Sequence, residues 1–223
     1  NGTGVFYLAN TSRFNNLTTG QLNISTSGSM QAASGSGTLT NTGLIKKTGD
    51  NSFTIYTVSE NNAGTMLIEE GALTFDNTIN KLNSGTYTVK TAGTLNWEGN
   101  HTCTGTLTGQ INGALNWNGS LTVAAATQAT LNFSTNGVRW NSGYFTGNGT
   151  LKNTGIVNLE TTGSKSIYGT SVFDNEATFN INGTGVFYLA NSSTYNNLSS
   201  GTFNIKSSGS IQAASGSGTL KNA

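Results

Sequence analysis

One short pattern recurs along the chain: a Gly or Ala, then polar, apolar, polar, apolar. It reads Gly20-Gln21-Leu22-Asn23-Ile24, Gly85-Thr86-Tyr87-Thr88-Val89, Ala129-Thr130-Leu131-Asn132-Phe133, Ala177-Thr178-Phe179-Asn180-Ile181 and Gly201-Thr202-Phe203-Asn204-Ile205. Alternation with a period of two predicts a short strand with one buried face. Starts of one such column are placed at Gly20, Gly43, Gly64, Gly85, Gly109, Ala129, Gly155, Ala177 and Gly201, eight intervals over 181 residues or about 22.6 residues each. A second strand follows in most units, as at Gly28-Ser29-Met30, Gly71-Ala72-Leu73-Thr74-Phe75, Gly93-Thr94-Leu95-Asn96-Trp97, Gly137-Val138-Arg139-Trp140 and Gly209-Ser210-Ile211. A third, looser segment appears at Gly37-Thr38-Leu39, Gly149-Thr150-Leu151 and Gly218-Thr219-Leu220. Between Gly105 and Val123 the phase stays open, since Gly105, Gly109, Gly113 and Gly119 all offer a start. The expected fold is all-β: a parallel β-solenoid (β-helix) of about ten coils, each of about 22–23 residues and three short strands.

A longer repeat overlies the short one. Residues 1–42 recur at 182–223, an offset of 181, with changes such as Phe14 to Tyr195, Leu22 to Phe203 and Met30 to Ile211 that keep apolar positions apolar. The expectation is a single continuous solenoid over 1–223, belonging to a longer repetitive protein or to subunits that stack end to end. An open solenoid end is an exposed sheet edge, and neither end reads as a cap. Eight coils at about 4.8 Å each advance the axis by roughly 38 Å, so a rod is expected rather than a globule.

Composition alone would allow another outcome. Charged residues are 9% of the chain, 30 residues are Gly, and Asn, Ser and Thr dominate the rest. Such a tract can be disordered, but strict alternation argues against it. There is no Pro, so the backbone ladder has a donor at every residue. A net charge of +1 with ten scattered cations gives no cluster to neutralise phosphates, so nucleic acid is not an expected partner. A single cysteine, Cys103, rules out an internal disulfide. No apolar run approaches the roughly 20 residues that span a bilayer, so membrane insertion is not expected either, and the first residues lack the regions of a signal peptide.

From Gly43 to Leu73 the order Gly43-Leu44-Ile45-Lys46-Lys47-Thr48-Gly49, Phe53-Thr54-Ile55, Gly64-Thr65-Met66-Leu67-Ile68 and Gly71-Ala72-Leu73 resembles the autotransporter-associated β-strand repeat of large secreted bacterial surface proteins. More loosely, the whole chain resembles the solenoid stalks of bacterial adhesins. The resemblance implies export to the cell surface or beyond, a parallel β-helix, and a display role. One recognisable copy is present, with no translocating barrel.

Candidate chemistry is sparse. Glu69 and Glu70 are adjacent and expected on opposite sides of a strand, and Asp50, Glu60, Asp76, Glu98, Glu160, Asp174 and Glu176 share no register. The chain is therefore not expected to be an enzyme, and a polysaccharide lyase or hydrolase, which needs clustered acids and bases, is a distant alternative. His101 and Cys103 are two apart but lack two further ligands, so no metal and no cofactor are expected: the reading is an exposed corner His and a small buried Cys. Phe75, Trp97, Trp117 and Trp140 tempt a sugar-stacking role, yet Phe75, Trp97 and Trp117 fall at inward positions and are expected to stack in the core. Outward positions collect Thr86, Thr88, Thr130, Asn132, Asn158, Thr178, Asn180, Thr202 and Asn204. On one plane these would form a flat array of small polar groups able to bind ice or a glycan. The main expectation is a structural or adhesive extracellular rod whose partners are further copies of itself or of the same repeat, with glycans or surfaces as further partners.

Overall fold

The computed structural model describes residues 3–76 and 80–223; Asn1 and Gly2, which open the first copy of the long repeat, lie outside them. Among the described residues there are 26 strands and no helix, joined into one sheet that winds on itself. Each coil has three faces. The first face stacks Gly4–Ala9, Gly28–Ser34, Ser52–Ile55, 72–75, 94–97, Ala114–Trp117, Val138–Trp140, Ile156–Leu159, Thr178–Ile181 and Thr202–Ile205. The second stacks Arg13–Asn16, Thr38–Asn41, Val58–Asn62, 80–83, 100–104, Ser120–Thr122, Gly143–Thr146, Lys165–Ile167, Val186–Ala190 and Ser210–Ala214. The third stacks Gln21–Ile24, Leu44–Lys47, 65–68, 85–89, 105–111, Gln128–Thr135, Thr150–Asn153, Val172–Asn175, Thr194–Asn197 and Thr219–Asn222.

These stacks are parallel, and they make ten coils. Along the first face Gly4, Gly28, Phe53, Leu73, Leu95, Leu115, Val138, Val157, Phe179 and Phe203 lie over one another, nine steps of about 22 residues each. The β-solenoid expected from the alternation is therefore the fold.

Why the coils stack follows from their inward side chains. A coil alone has no second layer to cover its apolar face, so burial comes from the coils on either side. Met30, Ile55, Phe75, Trp97, Trp117, Trp140, Leu159 and Ile181 form one such inner column, and all are buried. Trp117 and Trp140 stack with ring centroids 4.0 Å apart and planes 6° from parallel. The rings expected inside are inside.

Corners need their own solution. Where the first face turns into the second, a Cβ on Gly119 would meet the Gly99 carbonyl oxygen at 1.8 Å, and one on Gly143 would meet that of Gly119 at 2.0 Å. Successive backbones pass too close there for any side chain. At other corners an inward Asn closes the turn and hands its amide to the next coil. Asn153 Nδ2 donates to Asn175 Oδ1 at 2.7 Å, Asn175 to Asn197 at 2.7 Å, and Asn197 to Asn222 at 2.8 Å. The same device links Asn16 to Asn41 at 2.7 Å and Asn41 to Asn61 at 2.8 Å, and ends where Asn61 Nδ2 meets the Tyr87 hydroxyl at 2.9 Å.

Those two ladders correct the single column expected from the sequence. Asn16 and Asn197 are copies of one another in the long repeat, but Asn16 closes the second face and Asn197 the third. Likewise Gln21–Ile24 lies on the third face and its copy Thr202–Ile205 on the first. The strands after Gly20, Gly43, Gly64 and Gly85 share the third face, whereas those after Gly155, Ala177 and Gly201 share the first. The second copy of the repeat thus begins eight coils and one face after the first, not eight coils. Local geometry is kept in the transfer: Asn10 and Asn191 both have φ of 53°. The change takes place across the middle coils, where the inner Asn column of the second face gives way to Leu82 and Cys103 and that of the third face starts only after Leu131.

Asn175→Leu keeps side-chain volume but takes from Asn153 Nδ2 one of its two acceptors, leaving the Thr178 carbonyl, and from Asn197 Oδ1 its ladder donor. The variant is expected to lose about 2–4 kcal/mol of stability in guanidinium unfolding, against less than about 1 kcal/mol for Asn15→Leu at an exposed outward position. Equal effects would remove the buried ladder from the account.

Candidate functional site

On the outside of the first face, alternate residues stack as Thr54, Thr74, Asn96, Asn116, Arg139, Asn158, Asn180 and Asn204. Hydrogen bonds run along this column: Asn96 Nδ2 donates to Thr74 Oγ1 at 3.1 Å, Asn116 to Asn96 at 2.8 Å, Asn180 to Asn158 at 2.7 Å and Asn204 to Asn180 at 2.9 Å. Arg139 is the one interruption. It lies half-buried in an open groove of about 560 Å³ lined by Asn116, Asn136, Asn141, Asn158, Glu160 and Thr161.

The nine outward residues singled out by sequence are divided by the fold. Thr86, Thr88, Thr130 and Asn132 lie on the third face, and Asn158, Thr178, Asn180, Thr202 and Asn204 on the first. They do not form one plane, because the long repeat returns on a different face. Asn180, moreover, is buried, its amide held between its two ladder neighbours.

His101 is not at an exposed corner, as expected, but fully buried beside Trp97, their rings 6.2 Å apart. Its Nε2 bonds the Glu98 carbonyl and its Nδ1 has no partner, so the neutral ring with the proton on Nε2 suits the site. Burial lowers its pKa from 6.5 to about 4. Cys103 is buried as expected, and burial raises its thiol pKa. Among the described residues no three His, Cys, Asp or Glu side chains are grouped to hold a metal.

The acids are spread over the rod. Glu69 and Glu70 are both at least partly exposed at the corner after Ile68. Glu69 pairs with Lys46 at 3.0 Å, Glu176 with Lys152 at 2.7 Å, and Glu60 with Lys81. Each pair joins adjacent coils and, being part-exposed, contributes about 0–1 kcal/mol. Amides hold three others: Asn118 donates to Glu98, Asn182 to Glu160 and Asn196 to Asp174.

Two lysines are used inside. Lys47 Nζ donates to the carbonyls of Thr48 at 2.8 Å and Gly49 at 2.7 Å, and Lys165 Nζ to those of Gly163 at 2.7 Å and Glu160. Burial lowers both pKa values, that of Lys165 to about 8. Trp117 and Trp140 do the same work with their indole N–H groups, on the carbonyls of Gly119 at 2.7 Å and Ser142 at 3.0 Å. These donors supply hydrogen bonds to carbonyls at the corners.

Sequence reasoning missed Arg139 as a site residue. Only after the columns are assigned does it stand out as a cation at a position otherwise held by Asn or Thr. Compared with family models, curated proteins and solved structures, the chain matches none.

His101 makes stability pH-dependent. The unfolded chain takes up the imidazole proton near pH 6.5 and the folded one only near pH 4, so the folded state keeps its full stability above pH 6.5 and loses it as pH falls through that interval. Between pH 7 and pH 4 the wild type is expected to lose about 3 kcal/mol more than His101→Phe in urea unfolding. Parallel losses in the two proteins would show that the ring titrates normally.

Proposed function

We propose that this chain is a segment of a rigid rod in a large secreted bacterial cell-surface protein or extracellular filament, with a structural or adhesive task. The observation that carries the reading is the uninterrupted stacking of ten coils in parallel register around one core. Such a stack lengthens by one coil for every 22 or so residues and needs no new domain to do so. The resemblance of residues 43–73 to an exported β-strand repeat supports the location.

Further copies of the same repeat are the partners this reading requires. Phe6 is 48% exposed and its copy Phe187 1%; Ile205 and Leu220 are 56% and 43% exposed and their copies Ile24 and Leu39 5% and 1%. Each apolar group bared at one end is covered by a neighbouring coil in the other copy, so the repeat itself supplies the surface that fits. Because each copy advances eight coils and one face, successive copies present any lateral feature on the three faces in turn. Three copies complete 25 coils and restore the starting orientation. The acids, dispersed and mostly tied to neighbouring coils, support a mechanical over a catalytic reading.

A protein carrying three tandem copies of the 181-residue unit is expected to form rods lengthened by roughly 120 Å, with features recurring every 40 Å or so and rotated by one face each time, in electron micrographs. Antibody raised against the chain is expected to label the outside of intact source cells. Compact particles whose length is independent of copy number would overturn the rod, and label confined to the cell interior would overturn the surface role.

A further inference from the structure

We propose that the groove around Arg139 is a binding site for a saccharide bearing a carboxylate. From Thr74 to Asn204 the outer column of the first face is a hydrogen-bonded chain of short polar side chains, and at the one place where it is broken stands an arginine. An Asn there would meet Asn116 on one side and Asn158 on the other. Continuity of the ladder therefore does not explain the residue, and a position that departs from its own column is where function is sought.

Its charge has no internal partner. Of the ten cations, Lys46, Lys81 and Lys152 pair with acids and Lys47 and Lys165 cap corner carbonyls. Arg13, Lys90, Lys206 and Lys221 are exposed to water. Arg139 alone is both half-buried and without a hydrogen bond or ion pair among the described residues. Glu160, which also lines the groove, is held instead by Asn182 at 2.8 Å. A planar guanidinium with five donors is thus left facing the groove, and its natural complement is a carboxylate bound through two parallel N–H···O bonds.

The walls define the rest of the ligand. Asn136 donates to the Asn112 carbonyl at 2.9 Å, Asn158 to that of Asn136 at 2.7 Å, and Asn141 to Asn118 at 2.9 Å, so the amides are locked in place before anything binds. With their N–H groups turned to the protein, the side-chain oxygens of Asn136 and Asn141 and the second oxygen of Glu160 are left to accept. A bare anion offers these acceptors no donor. A sugar acid offers a carboxylate for Arg139 and hydroxyls for the acceptors. The groove is open and lined with polar groups, which suits a hydroxyl-rich chain lying along the face better than an apolar side chain.

The test uses the 223-residue chain and isothermal titration with tetragalacturonate, its neutral methyl ester, 3′-sialyllactose and sulfate. Binding of tetragalacturonate or of sialyllactose is expected, the one that binds identifying a uronate or a sialate, with the ester at least about tenfold weaker than the acid and sulfate weaker still. Arg139→Asn should restore the ladder, melt no lower than the wild type, and lose at least about tenfold in affinity for the sugar acid; Arg139→Lys, which keeps the charge but not the fork, should lose most of the binding too. The proposal is overturned if neither sugar acid binds, if ester or sulfate binds as tightly as the acid, or if Arg139→Asn binds as the wild type does. The melting measurement separates loss of binding from loss of fold.

Discussion

Every other property of this molecule rests on coil-to-coil register. Each inward side chain is stacked between one about 22 residues before it and another about 22 after, and meets side chains from the other faces across the core, as the Phe179 ring meets that of Tyr195 with centroids 5.0 Å apart. Stacking along the axis is therefore what every column shares. In the inner column of Phe75, Trp97, Trp117 and Trp140 large rings sit in register from coil to coil, and Trp117 and Trp140 stack directly. A polar residue is tolerated inside on the same terms. Asn175 and Asn197 each give an amide hydrogen to one neighbour and take one from the other, while Asn153 starts the ladder as a donor and the exposed Asn222 ends it as an acceptor, so burial leaves little unsatisfied. Where no ladder is possible, single donors do the job, as Lys47, Lys165, Trp117 and Trp140 do at their corners.

The same constraint explains how one sequence can occupy different faces. All three faces ask for the same thing, apolar in and polar out, and differ only in the corners that join them. Gly201-Thr202-Phe203-Asn204-Ile205 therefore serves the first face as well as Gly20-Gln21-Leu22-Asn23-Ile24 serves the third, provided the corner chemistry travels with it. It does travel: the buried Asn and the positive-φ Asn turns move together by one face. The middle coils absorb the change, with Tyr87 ending one Asn ladder and Leu82, Cys103 and Leu131 standing where its column or the next would carry Asn. The unit of sequence and the unit of winding are incommensurate, and a rod built from such units presents each lateral feature around its circumference.

Outside, stacking places fewer demands, and the residues that depart from it carry the most information. Most outward amides and acids are linked to the next coil, which leaves a polar surface with few free groups. Arg139 is the departure. Its position on a rigid strand, between amides already committed to the protein, gives it the fixed geometry a recognition site requires.

Alternation of apolar and polar residues, by itself, determined that this chain is a parallel β-solenoid, how many residues a coil holds, and that Phe75, Trp97 and Trp117 point inward. Those features are set by a residue and its immediate neighbours, which is the range over which a period of two can be read. Which face a strand occupies was decided only by the tertiary structure, because it depends on the summed length of every corner before it, and a shift of one strand leaves the local pattern unchanged. For that reason the Thr and Asn residues that look like one array divide between two faces, and Arg139 acquires its Asn neighbours from strands about 20 residues away on either side.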